Sequence, residues 1–162
     1  MSLQSLFTAL ENSSLGTAVR ESTILFPAIE CLHVLMIAVM VGTIAIVDLR
    51  LLGIASRTRS VSELLDEVLP FTRGAFVGAL ITGGLLFASH ASDYIGKWPF
   101  QAKMALLLLA MINIVVFHRI FGRDVASLDQ GQRPPLSVRL SGGLSLALWI
   151  GVVATGRWIG FV

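Results

Sequence analysis

The residues of this chain that could do chemistry are few, and most of them interrupt long apolar runs. Glu30, His33, Asp48, His90, Lys103 and His118 are the ionisable ones, and Asn113 is a neutral polar companion. An ionisable side chain inside hydrocarbon is costly, so each is a candidate for function. Counting about 1.5 Å of rise per helical residue sorts them by depth. His33, His90 and Lys103, with Glu30 and Tyr94, form an outer group. Asp48, Arg50, Asn113 and His118 form an inner polar cluster.

The outer group suits a cofactor. Haem b is held in four-helix membrane proteins by imidazoles from two helices, and such ligation needs no contiguous motif. His33 and His90 differ by about 8 Å in depth, which a tilted haem between helices accommodates. His33 and His118 differ by roughly 17 Å, too far to share one iron. The expected cofactor-binding set is therefore His33, His90 and Lys103, with His33 and His90 as metal ligands. Lys103 would pair a haem propionate or snorkel to the interface. The plain alternatives are a hydrogen bond from His33 to Glu30 or another helix, and a solvated His90. Copper is the competing metal; it would prefer Cys31, Met36 and Met40, whose near-helical spacing also suits core packing.

The inner cluster has a structural reading. Asp48 and Arg50 flank the end of the first span, where a salt bridge to Arg119 or a hydrogen bond to His118 would tie spans one and three. No hydrolase triad, phosphate-binding glycine loop or zinc spacing appears, and there is no Cys-x-x-Cys-His for covalent haem attachment.

What must position these residues is a set of membrane helices. The 162 residues are 55% hydrophobic and 14% charged, with mean hydropathy +0.82. A soluble domain carries about 25% charged residues and could not hide this much apolar surface. Four runs are long enough to cross about 30 Å of hydrocarbon: residues 22–52, 71–92, 99–121 and 136–161. None alternates as a barrel strand would, and backbone groups in lipid must be satisfied internally. The expected fold is all-α, a single integral membrane four-helix bundle. Leu3, Leu6, Phe7 and Leu10 recur at helical spacing and predict a short N-terminal amphipathic helix. Ser60 to Glu63 fits a capping box, which predicts a short interfacial helix ending before Pro70. Gly131 and Pro134-Pro135 mark a loop.

The net charge of +2 could suggest nucleic acid. The charges sit at the ends of apolar runs instead, so the expected partner is the lipid bilayer. Of twelve basic residues, eight (Arg50, Arg57, Arg59, Arg73, Arg119, Arg123, Arg133 and Arg139) follow spans one and three. Basic loops stay cytoplasmic, which predicts a bacterial inner membrane protein with both termini periplasmic. Trp98 and Trp158 fit an outer aromatic belt; Trp149 falls mid-span and needs a packing neighbour or a ring-shaped ligand. Gly74-x-x-x-Gly78 and Gly156-x-x-x-Gly160 are small-residue pairs, for which packing within one chain is the first reading and a homo-oligomer the second.

His33-Val-Leu-Met-Ile-Ala-Val-Met-Val-Gly42, Val47-Asp-Leu-Arg-Leu-Leu-Gly53, Thr82-Gly-Gly-Leu-Leu-Phe87, Phe100-Gln-Ala-Lys103, Asn113 and Phe117-His118 together resemble a family of small four-span bacterial membrane proteins of unknown function. More distantly, the order His, Gly, Leu-Arg, Lys resembles copper-resistance D-type membrane domains and haem-binding membrane protoporphyrinogen oxidases. The second resemblance implies functional roles for His33 and Lys103. The oxidases carry a second His two residues before the Lys, where this chain has Gln101. The reading that follows is a b-type cytochrome-like protein, passing electrons or serving as accessory subunit to a redox partner. The alternative is a non-redox subunit or a copper-handling or transport component.

Overall fold

The computed structural model describes residues 3–55, 58–120 and 133–162. Two short helices come first, α1 (Leu3–Glu11) and α2 (Ser14–Glu21). The long helices are α3 (Leu25–Leu51), α4 (Val61–Ser89), α6 (Trp98–Ile120) and α7 (Leu136–Trp158). A six-residue α5 (Ala91–Gly96) joins α4 to α6, and a 3-10 turn (Ile159–Phe161) ends the chain. The fold is the expected all-helical four-helix membrane bundle. Arg57, Arg123, Gly131 and the last residue of the third predicted span lie outside the described residues.

Local chemistry sets the helix ends. Ser13 accepts from the Gly16 N–H at 3.1 Å and starts α2. Ser22 accepts from the Leu25 N–H at 3.1 Å and starts α3. Gly53 ends α3 at φ +74°, the left-handed conformation that a side chain would resist. At α4 the predicted capping box is present, with Ser60 accepting from the Glu63 N–H and Glu63 accepting from the Ser60 N–H, both at 3.2 Å.

The interfacial helix expected before Pro70 is not separate. Residues from Val61 onward run straight through Pro70 into the span. A proline inside a helix deletes one backbone donor, and a tertiary scaffold can carry that loss. Here Leu64 is buried, and Val61 packs with Leu51, Phe117 and Val138, so the first turns of α4 are fixed by contacts beyond the proline. Two short helices replace the single one expected at the N-terminus.

Four helices are long and apolar enough to cross a membrane. Much of their apolar surface faces outward; Leu32, Leu35, Leu80, Leu108, Val115 and Ile150 are all exposed. Hydrocarbon solvates such a surface, and water would not. Inside, Met40, Ala75, Ala110, Leu148, Trp149 and Val152 form a core with at least one residue from each long helix. Trp149 is 2% exposed, so the mid-span tryptophan is a packing residue. The glycine pairs each contribute one residue to packing within the chain: Gly78 lies against Met36 and Gly156 against Lys103.

Neighbours are unequal. α3 packs along α4 and α6 along α7, and the two hairpins meet mainly where α3 touches α7. At one end, here the capped end, α1, α2 and α5 cover the helix termini. Glu11 accepts from the Ser92 N–H at 3.1 Å and pairs Arg20 at 3.4 Å, which fastens α1 and α2 to α5. Phe7 meets Phe87 edge-on, and Phe87, Phe100 and Tyr94 stack behind it. The opposite, arginine end carries Arg50, Arg59, Arg133 and Arg139.

Candidate functional site

His33 is half-buried on α3 and turned toward α4. Its Nδ1 lies 2.9 Å from the hydroxyl oxygen of Thr82. The Thr82 hydroxyl also lies 2.7 Å from the Gly78 carbonyl, and the Ala79 carbonyl is a further hydrogen-bond partner of His33. With the Thr82 proton on Gly78, the imidazole proton sits on Nδ1 and Nε2 keeps a lone pair. The ring passes over Gly83, where a Cβ would stand 2.9 Å from Cε1. Glycine at 83 is what admits the ring.

Lys103 on α6 comes within charge–charge range of His33. Its stem lies along Gly156 of α7, with Nζ 3.4 Å from where a Cβ would be. No carboxylate pairs it among the described residues. The bundle thus places His33 and Lys103 where their charges act on each other, with Thr82 and Gly83 shaping the seat of one and Gly156 that of the other. A cation within charge range of an imidazole lone pair can hold a ligand that coordinates through a metal and carries negative charge. The same pair could hold a hydrogen-bonding ligand without a metal.

His90 is not brought to this pair. It ends α4 and its Nδ1 lies 2.9 Å from the Ser89 hydroxyl. Its ring meets Phe26 edge-on at 5.4 Å and tilts over Tyr94 at 6.1 Å. On α3 the contact at Phe26 is seven residues from His33, and on α4 His90 is seven from Gly83. Both spacings put the two imidazoles about 10 Å apart along the bundle. Glu30 is exposed, and it acts on Tyr94 rather than bonding His33. Burial first, then the Glu30 and Asp93 carboxylates, push the Tyr94 phenol above its usual range.

The copper candidates do not converge. Cys31 is exposed, Met36 lies on Gly78, and Met40 is in the core. No group of three His, Cys, Asp or Glu side chains able to hold a metal ion occurs among the described residues.

At the arginine end the polar residues are connected differently from the expected tie between spans one and three. Asp48, 5% exposed, has Ser145 of α7 as its hydrogen-bonding neighbour, and its Oδ2 has no partner among the described residues. Asn113 of α6 binds Ser141 of α7, through Ser141 Oγ to Asn113 Oδ1 at 3.3 Å. His118 is exposed and bonds the Ile114 carbonyl of its own helix at 2.9 Å. Arg50 is fully buried, gives its Nε–H to the Arg59 carbonyl at 3.0 Å, and has two Nη atoms without partners among the described residues. The polar ties therefore run from α3 to α7 and from α6 to α7. Asp48, Asn113 and His118 also line a cavity of about 130 Å³ whose wall is otherwise mostly aliphatic.

Thr82, Ser145 and Ser141 were not among the sequence candidates. A hydroxyl inside an apolar run is easily satisfied by its own helix, so it signals little by itself. Thr82 next to Gly83-Gly84 is the one usable hint, because a hydroxyl beside a flat surface offers both a partner and room.

The fold is that of a four-helix membrane protein, with His33 on one hairpin and Lys103 on the other within range of each other's charge. The chain belongs to a family of unknown function (DUF6644), whose model matches residues 6–162. No curated protein and no solved structure matches it.

Proposed function

We propose that this protein is a bacterial inner-membrane redox subunit that binds haem b between its hairpins at the capped end. The observation that carries the reading is the His33–Thr82 pair. A hydrogen bond from Nδ1 to a fixed acceptor orients an imidazole and keeps Nε2 free, as metal-binding histidines require. Lys103, lacking a carboxylate, would pair a propionate. When bound, haem would supply a one-electron couple. His33 would be the single protein ligand, since His90 is held by Ser89 and Phe26.

Arg50, Arg59, Arg133 and Arg139 gather at the far end, which supports a periplasmic capped end and a cytoplasmic arginine end. The protein would then pass electrons to a partner, or sit as accessory subunit in a larger membrane complex or beside copies of itself.

Absorption spectra test this. Purified protein should show a Soret band and an α-band on reduction, and His33→Ala should lose both while His118→Ala keeps them. Colourless wild-type protein after expression with added haem precursor would sink the reading. A labelled cysteine at position 2 tests topology; labelling from the cytoplasmic side would reverse it.

A further inference from the structure

We propose that the cavity at the arginine end binds a single-ring quinol head, with the tail of the same molecule running into the bilayer. This rests on the cavity alone and not on haem at the capped end.

Size comes first. The cavity is about 130 Å³, and an apolar cavity of about 150 Å³ takes up one benzene ring. Leu65, Val68, Leu69, Ile114 and Phe117 give it an apolar wall, which suits a ring and rejects a hydrated ion.

The polar atoms then choose among rings. Oδ2 of Asp48 is buried with no hydrogen-bond partner among the described residues. The Ile114 carbonyl can only accept, so Nδ1 of His118 carries the proton and Nε2 is an acceptor. Asp48 and His118 stand on different helices lining the same space, and with Asp48 ionised both offer lone pairs. Asn113 and Ser141 satisfy one another. The matching ligand is therefore a ring with two O–H donors. A quinone offers acceptors only and leaves His118 and an ionised Asp48 unmatched.

Access fixes the tail. α4 and α6 form facing walls of the cavity and close on each other at its end, where Val61 packs with Phe117. His118 lines the cavity and is exposed, and the outward faces of both helices are apolar. A ligand that reaches the cavity past His118 has hydrocarbon beside it for an apolar tail.

The test is calorimetric titration of the purified full chain in detergent with 2-decylhydroquinone kept reduced. One molecule should bind per chain, and 2-decylbenzoquinone should bind about tenfold more weakly because its donors are gone. Decanol, the tail without the ring, should not compete. Asp48→Asn should weaken quinol binding about tenfold, and Val68→Phe, which fills the cavity, should abolish it. Ile114→Phe fills the same space from α6 and replaces Val68→Phe if that variant does not fold. Equal affinity for quinol, quinone and decanol, or unchanged binding in both filled variants, would overturn the proposal. Colourless protein bears on the haem reading only, because this titration uses the opposite end of the bundle.

Discussion

The hydroxyl of Thr82 stands 2.9 Å from Nδ1 of His33 and 2.7 Å from the Gly78 carbonyl of its own helix. With its proton on that carbonyl, one threonine on α4 is the acceptor that orients a histidine on α3. Removing that acceptor should act on ligand binding more than on folding.

Thr82→Val keeps the shape and deletes the acceptor. A lost hydrogen bond of this kind costs about 1 kcal/mol of stability. Loss of a ligand's orienting partner typically lowers metal affinity ten- to a hundredfold, so haem should bind roughly that much more weakly. Thr82→Ser should restore it. Haem titration of the two variants, with helical content as control, decides the matter; equal affinity in both would show that Thr82 does not orient His33.

Lys103→Met should move two quantities in opposite directions. The apoprotein loses a cation that has no carboxylate partner among the described residues, which should stabilise it by about 1 kcal/mol. Haem retention should fall, because the propionate loses its counter-charge. Denaturant melts of the apoprotein and haem dissociation rates measure the two effects. A variant that is less stable and equally retentive would remove Lys103 from the site.

Added methyl groups should rank three glycines. At Gly16 a Cβ would stand 2.6 Å from the Glu11 carbonyl oxygen and 2.8 Å from that of Ala88, so rigid backbone must move. At Gly78 it meets Met36 Sδ at 2.7 Å, the flexible end of a side chain. Gly16→Ala should cost roughly 1–3 kcal/mol and loosen α1 and α2, and Gly78→Ala should cost less. At Gly83 the clash falls on His33, so Gly83→Ala should show chiefly as lost haem. Thermal melts of the three variants, with proteolysis of the N-terminal segment, give the order.

Acid should undock the cap. Hydrogen bonds from the Ser92 side chain and backbone, and next the Arg20 charge, hold the Glu11 carboxyl below the usual carboxylate range. A lowered value means that docking favours the ionised form. Its contribution is complete above the ordinary carboxylate range and disappears as pH falls through the lowered value. Hydrogen exchange of α2, corrected for intrinsic rates, should accelerate across that acidic window. Glu11→Gln should exchange faster at neutral pH and lose the acid-dependent step.

The four spans were legible because hydrocarbon imposes length and apolarity on any helix that crosses it. The sites were less so. Pro70 reads as a stop in the sequence, yet packing of Val61 and Leu64 carries α4 through it. His33 and Lys103 could be paired by depth, since both fall at similar height on their helices. His90 was grouped with His33 as well, but it ends α4 against Phe26 and so lies about 10 Å from His33 along the bundle. Thr82 and Ser145 were missed because a hydroxyl can always bond its own helix, and only the fold shows which one faces a partner.

The two hairpins meet along α3 and α7, where Asp48 and Ser145 sit, and again on the other side, where Phe87 of α4 stacks on Phe100 of α6 and Val61 packs with Phe117. A bundle clasped on two sides resists opening like a hinge. Phe100→Ala should therefore loosen the α4–α6 side while sparing the α3–α7 one.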